Sequence, residues 1–381
     1  MQRSTSRILT THTGSLPRSP ELQELLRAKQ ERRPVDDAMF DAAVRKRVAE
    51  VVAQQVNLGL DVISDGEQGR ESYVLYVRDR LTGFEGERRI RSWPSLDRAD
   101  FPEFFARGTE EYGRPSPQPA CTGPIGWKEG LGVHKDIENL QTAAAAVEGA
   151  EVFMTAASPG VIAFFLPNEY YPSEEAYLYA LADVMKDEYQ AIVAAGLVLQ
   201  LDCPDLAFTR VNQFAHLTLE EFKKVVELRV EVINYALAGL PPERMRMHIC
   251  WGNRENPHSH DVPLKEIIDL VLRARPTGLS FAGANPRHAH EWKIWRDVQL
   301  PEGKVIIPGV LDTTTNFIEH PELVAERTIR YAELVGRENV IVGSDCGFGT
   351  SAGRNRVDTR IVWAKLQAMV EGAQLASQQL W

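Results

Sequence analysis

No apolar stretch in this chain approaches the roughly 18 residues of a membrane-spanning helix. The basic start, Met1 to Arg7, lacks the apolar core of a secretory signal. Cysteine is scarce: Cys121, Cys203, Cys250 and Cys346 are the full set. Four scattered thiols do not make a disulfide framework, which points to a reducing compartment and a cytoplasmic enzyme. Basic charge is in deficit, with 43 Lys and Arg against 53 Asp and Glu, a formal net charge of −10. That balance argues against nucleic acid or an anionic membrane as partner. No fixed-period repeat, low-complexity tail or glycine-rich phosphate fingerprint after a strand is present, which disfavours an open dinucleotide-binding sheet.

What is present is an alternation of short β-branched runs and longer stretches of helical period, the signature of a parallel sheet with crossover helices. Strands are expected at Ile8–Thr11, Asp61–Ser64, Glu151–Ala156, Leu197–Asp202, Met245–Cys250, Gly278–Ala282, Lys304–Val310 and Val340–Ser344. Helices are expected at Asp37–Leu58, Glu174–Ala195, Leu219–Leu240, Pro263–Arg273, Pro321–Val335 and Arg356–Gln374, with a peripheral one near Glu21–Gln30. Thr218 before Glu220-Glu221, and proline at 263 and 321, are helix-start signals. Eight strands with following helices predict a single TIM (β/α)8 barrel domain over 1–381. The charged, proline-rich stretch from Tyr73 to Gly149 reads as an insertion between strands 2 and 3. It would be a hairpin arm with a strand at Ala120–Trp127 and a helix at Lys135–Val147.

Chemistry-bearing residues gather at the expected strand ends. His248-Ile249-Cys250 ends the fifth strand, and Ser344-Asp345-Cys346-Gly347 ends the eighth. Parallel strands deliver their C-terminal ends to one rim, and His-x-Cys with a remote Cys is soft N/S ligation suited to zinc. The plainer reading of a cysteine at a buried strand end is a small hydrophobe, and Cys121 and Cys203 are read that way. His258-Ser259-His260 and His288-Ala289-His290 fall off the strands, so capping and loop packing is the plainer reading for both pairs.

Thr11-His12-Thr13-Gly14-Ser15-Leu16-Pro17-Arg18, Gly59-Leu60-Asp61-Val62 with Asp65-Gly66-Glu67, and Leu199-Gln200-Leu201-Asp202-x-Pro204 form an ordered series. His248-x-Cys250, Pro308-Gly309-Val310-x-Asp312 and Asp345-Cys346-Gly347 complete it. The series resembles the catalytic barrel of the cobalamin-independent methionine synthases over nearly the whole chain. It is similar in particular to the short, single-domain methionine-synthase-like group that includes epoxyalkane:coenzyme M transferase. The resemblance implies Zn²⁺ held by His248, Cys250 and Cys346, and a small thiol activated as a zinc-bound thiolate for methyl or alkyl transfer, in either direction. It implies Gly14 and Ser15 for an acidic substrate group, Glu67 and Asp202 for an amine, and His12, Asp202 and Asp312 as catalytic candidates.

Several positions depart from that pattern. Ala282 stands where the family's fourth ligand, a Glu, would fall, leaving three protein ligands and an open position. Thr314 stands where methionine synthases carry a histidine, and Cys203 where they carry a Glu. The N-terminal half of the long methionine synthases has no counterpart. These departures argue against the standard folate-dependent reaction. A small-molecule thiol and an alkyl donor are the expected partners, and self-association into a homo-oligomer is compatible with the sequence. A zinc hydrolase or lyase using a metal-bound water, or a metal-poor binding barrel, are the alternative readings.

Overall fold

In the computed structural model the chain is described at all residues except 32, 87–88, 90–94, 113–116, 129, 131 and 354–355; the side chains of 108–112 are also left aside. Eight parallel strands run β1 (Leu9–Thr10), β2 (Val62–Ile63), β3 (Glu151–Ala157), β4 (Val198–Asp202), β5 (Met245–Ile249), β6 (Gly278–Phe281), β7 (Val305–Leu311) and β8 (Ile341–Ser344). The hydrogen-bonded order is β1-β8-β7-β6-β5-β4-β3-β2. Each lies within about a residue of its expected span, and the TIM-barrel reading holds.

The two free edges meet through one side chain. The Asp61 carboxylate accepts from Thr10 N (2.8 Å) and Thr10 Oγ1 (3.0 Å), while Asp61 N donates to Thr10 O at 3.2 Å. Thr11 Oγ1 adds a bond to Val62 O at 2.9 Å, so β1 and β2 are stitched although each is two residues long. Met1 packs against the Leu9, Val305, Ile307 and Ile341 cluster.

The ring helices begin where their caps predict. Asp36 caps Asp37–Leu58, Ser173 caps Glu174–Ala194, and Thr218 with Glu221 closes a capping box on Leu219–Ala236. The expected helix Pro263–Arg273 is instead a 3₁₀ turn, Leu264–Glu266, and one α-turn, Ile268–Val271. Pro276 ends the run early, and the Leu264 N–H is taken by the Glu291 carboxylate at 2.7 Å.

The stretch between β2 and β3 differs most from expectation. Ala120–Trp127 forms no strand; isolated bridges join Leu81 to Trp127 and Cys121 to Asn168. Pro119 and Pro124 lack the N–H a ladder needs, which limits pairing to single bridges. Helix Val133–Ala144 packs between Asp37–Leu58 and Glu174–Ala194, so it is the ring helix following β2 and not part of an arm. Helices Leu96–Asp100 and Pro102–Tyr112 contribute Asp97, Arg98 and Phe105 to a cavity over the C-terminal rim.

Replacing Asp61 by alanine strips the buried Thr10 N–H of its acceptor and reopens the seam. The expected loss is about 2–3 kcal/mol, the cost of orphaning a buried, charge-assisted donor. Urea unfolding should show a lower midpoint at unchanged slope; an unmoved midpoint would mean that the seam closes without this carboxylate.

Candidate metal centre

Parallel pairing puts Asp202 in register with His248, and His248 with Ser280, so adjacent strand ends present their side chains at one level. His248, Cys250 and Cys346 converge there, with one ligand atom from each lying within 4.8 Å of the others. Among the described residues no further His, Cys, Asp or Glu joins this group. Ala282 lies buried just beyond β6 and offers no ligand atom, as expected.

The local chemistry fits a soft cation. His248 Nδ1 meets Ser280 Oγ at 3.1 Å, while its Nε2 is buried without a partner. Such an orphan costs about 1–3 kcal/mol unless something binds it. The Cys346 thiol donates to the Cys250 sulfur, which holds the Cys250 thiol well below its ordinary range; the same bond, with burial, pushes Cys346 well above. Two sulfurs thus lie beside a buried imidazole nitrogen that has no hydrogen-bond partner. A borderline-soft ion such as zinc would satisfy all three at once.

Loop contacts hold this cluster. The Asp345 carboxylate accepts from Gly283 N and Ala284 N (both 2.7 Å), Asn285 N (2.8 Å) and Asn285 Nδ2 (2.9 Å), tying the β8 end to the β6 loop. Asn253 Nδ2 donates to Gly347 O at 2.8 Å, joining the β5 and β8 loops. At Gly347 an added Cβ would fall 2.1 Å from Ser15 Oγ, so this approach requires glycine.

A cavity of about 780 Å³ opens on the rim, and His248, Cys250 and Cys346 line it with Ser15, Glu67, Tyr73 and Asp202. Burial raises the Glu67 carboxyl, where one oxygen has no partner. Burial and the Glu67 charge push Asp202 up to about 7. Glu67 sits at φ 56°, a left-handed conformation that a non-glycine residue adopts at some strain. Arg89, Arg98, Arg254 and Arg356 line the same cavity.

Not every expected residue reaches it. His12 lies behind the rim: Nε2 meets Gln55 Oε1 at 2.7 Å, and Nδ1 accepts from Gly14 N at 3.2 Å. Gln55 donates its own amide to Val51 O and Ser64 O, so its oxygen faces His12, which therefore carries its proton on Nε2. Burial lowers the imidazole to about 3 and leaves it neutral. His12 is thus a loop brace, and the Gly14 N–H expected to meet substrate is already committed to it. Asp312 also lies outside the cavity lining; its Oδ1 accepts from Thr314 N and Thr314 Oγ1, each at 2.8 Å, bracing the turn after β7. Ser280 and Asn253 were missed from sequence. Ser280 was legible in principle, because parallel register sets it beside His248.

Several known proteins are similar to this chain. The family model described as "Cobalamin-independent synthase, Catalytic domain" matches residues 8–95. A methionine synthase of Sulfolobus acidocaldarius is 26% identical over 377 residues, covering 97% of this chain and 93% of that protein. One from Sulfurisphaera tokodaii is 25% identical over 373 residues, with 97% and 93% covered. The solved B12-independent methionine synthase of Shewanella sp. W3-18-1 shares the fold at TM-score 0.75 and 19% identity, over 98% of this chain and 99% of that one. Since relatives named methionine synthase are this short, the missing N-terminal half is no argument against such an activity.

If the ring orientation matters, Ser280→Ala should weaken zinc binding about ten- to a hundredfold. Competition against a chromophoric chelator measures this; unchanged affinity would remove Ser280 from the account. The chain is similar to the catalytic domain of cobalamin-independent methionine synthases over residues 8–95 and to proteins named methionine synthase along nearly its whole length, likenesses that support a methionine-synthase-like transferase on a TIM barrel.

Proposed function

We propose that this chain transfers a methyl or other small alkyl group to or from the sulfur of a small thiol, with zinc held by His248, Cys250 and Cys346. The convergence of one orphaned imidazole nitrogen and two sulfurs on the cavity carries the reading. Relatives named methionine synthase, similar along their whole length, support methyl transfer as the reaction class. When bound, zinc supplies the Lewis acidity that takes a thiol proton near neutral pH. With two thiolates and a neutral imidazole around it, the site is formally uncharged, so an entering thiol need not displace a protein carboxylate.

The other cavity residues orient the substrate. Burial raises both the Glu67 and the Asp202 carboxyls, and the Glu67 charge raises Asp202 further, so a substrate ammonium placed between them would relieve both. Gln200 Nε2 donates to Asp202 Oδ1 at 2.8 Å and fixes that group. Ser15 remains on the lining, although its Oγ already accepts from Gly349 N at 3.2 Å. Thr314, tied to Asp312, is no proton carrier near neutral pH, so proton handling differs from a histidine-bearing relative. The chain works as a single barrel domain in this reading.

Glu67→Gln should raise KM for an amino-thiol by about tenfold or more, one charge-assisted hydrogen bond. It should leave an amine-free thiol and the zinc content unaffected. Equal effects on both thiols would remove Glu67 from amine recognition.

A further inference from the structure

One histidine from each of the two off-strand pairs meets the other at a shared carboxylate. His258 Nδ1 lies 2.7 Å and His288 Nε2 3.0 Å from the same oxygen, Asp261 Oδ2. The three ligand atoms fall within 4.8 Å of one another. The far nitrogens are already committed. His258 Nε2 faces the Arg254 carbonyl at 2.9 Å, and His288 Nδ1 faces Glu291 Oε2 at 2.8 Å. A carbonyl and a carboxylate can only accept, so both far nitrogens carry protons. The inward pair, His258 Nδ1 and His288 Nε2, donates to the Asp261 carboxylate, so these are the two nitrogens that would give up their protons to ligate a cation. This backing of a ligand imidazole by a carboxylate or carbonyl is characteristic of metal-binding histidines. Asp261 Oδ1 is buried and has no partner, although the side chain is only 2% exposed.

The surroundings hold the three groups in place. His258 has φ 55°, a left-handed backbone sustained by the Asp97 carboxylate, which accepts from His258 N and Ser259 N at 3.0 Å each. The His288 ring stacks on Trp251 at 3.9 Å and 22°. Glu291 is itself fixed by the Leu264 N–H. His258 and Asp261 line the cavity that also exposes Cys250 and Cys346.

We propose that His258, Asp261 and His288 form a second metal site for a divalent first-row transition cation such as zinc, set in the wall of the substrate cavity. Two imidazoles and a carboxylate suit such an ion better than magnesium or calcium, which prefer all-oxygen shells. The charge balances. With no metal, Asp261 and Glu291 face two protonated rings; with the cation, two N–H protons leave and one double charge takes their place. Open coordination positions would then face the cavity, where an oxygen of a bound substrate can complete the shell.

The test is metal stoichiometry on the full chain, stripped with chelator, reloaded with Zn²⁺ and freed of excess. The wild type should retain two ions. His258→Gln and Asp261→Asn should each retain one, as should Cys346→Ser, in which only the sulfur site is lost. A Co²⁺ titration of the wild type needs no variant: one equivalent should bring intense sulfur-to-cobalt charge transfer, and the other only weak ligand-field bands. Excess Mg²⁺ should not prevent the second phase. A wild type that binds one ion, shows a single cobalt phase and is unaffected by His258→Gln would overturn the second site. Loss at the Cys346 arm alone reports on the sulfur site, so the two assignments fail independently.

Discussion

Closure of one parallel sheet is the constraint on which the rest of this molecule depends. β5 and β8 are far apart in sequence and are not neighbours in the sheet, yet both deliver their C-terminal ends to the same rim. Only that arrangement brings a histidine and two cysteines together from single strand ends. The seam at Asp61, the β6–β8 tie at Asp345 and the Asn253 link to Gly347 each act on the distance between those sulfurs. A small rotation of either strand end would separate them.

The cavity that follows is desolvated and carries carboxylates with little solvent to stabilise their charge. Burial raises Glu67 and Asp202, and the orphaned oxygen of Glu67 leaves part of its hydrogen-bonding capacity for a ligand. Such a site is poised for a cationic group. On the proposed reading, different physics would hold the two ends of a substrate: soft ligation of a thiol at one, relief of buried negative charge by an amine at the other.

The barrel was legible because each strand is a short apolar, β-branched run bounded by polar turns, and the convergence of His248, Cys250 and Cys346 because they end such runs. Local propensity failed where tertiary partners decide. Pro263–Arg273 has helical period, but it folds as a 3₁₀ turn and a single α-turn whose first N–H meets the Glu291 carboxylate of a distant segment. Ala120–Trp127 looks extended, but Pro119 and Pro124 limit it to isolated bridges. His12 carried the right motif, yet whether a rim histidine faces inward depends on Gln55, more than forty residues away. The pairing of His258 with His288 through Asp261 was invisible for a related reason. Each lies in a motif that reads as loop packing by itself, and only the fold joins them.

The central claim, that two sulfurs and one imidazole share a cation open to a thiol, is most directly tested by zinc-edge X-ray absorption. The protein would carry one equivalent of zinc and be measured before and after adding a substrate thiol. Two sulfurs at about 2.3 Å with nitrogen or oxygen at about 2.0–2.1 Å are predicted first, and three sulfurs after thiol binds. A shell of nitrogen and oxygen alone, or a sulfur count that thiol does not change, would contradict it.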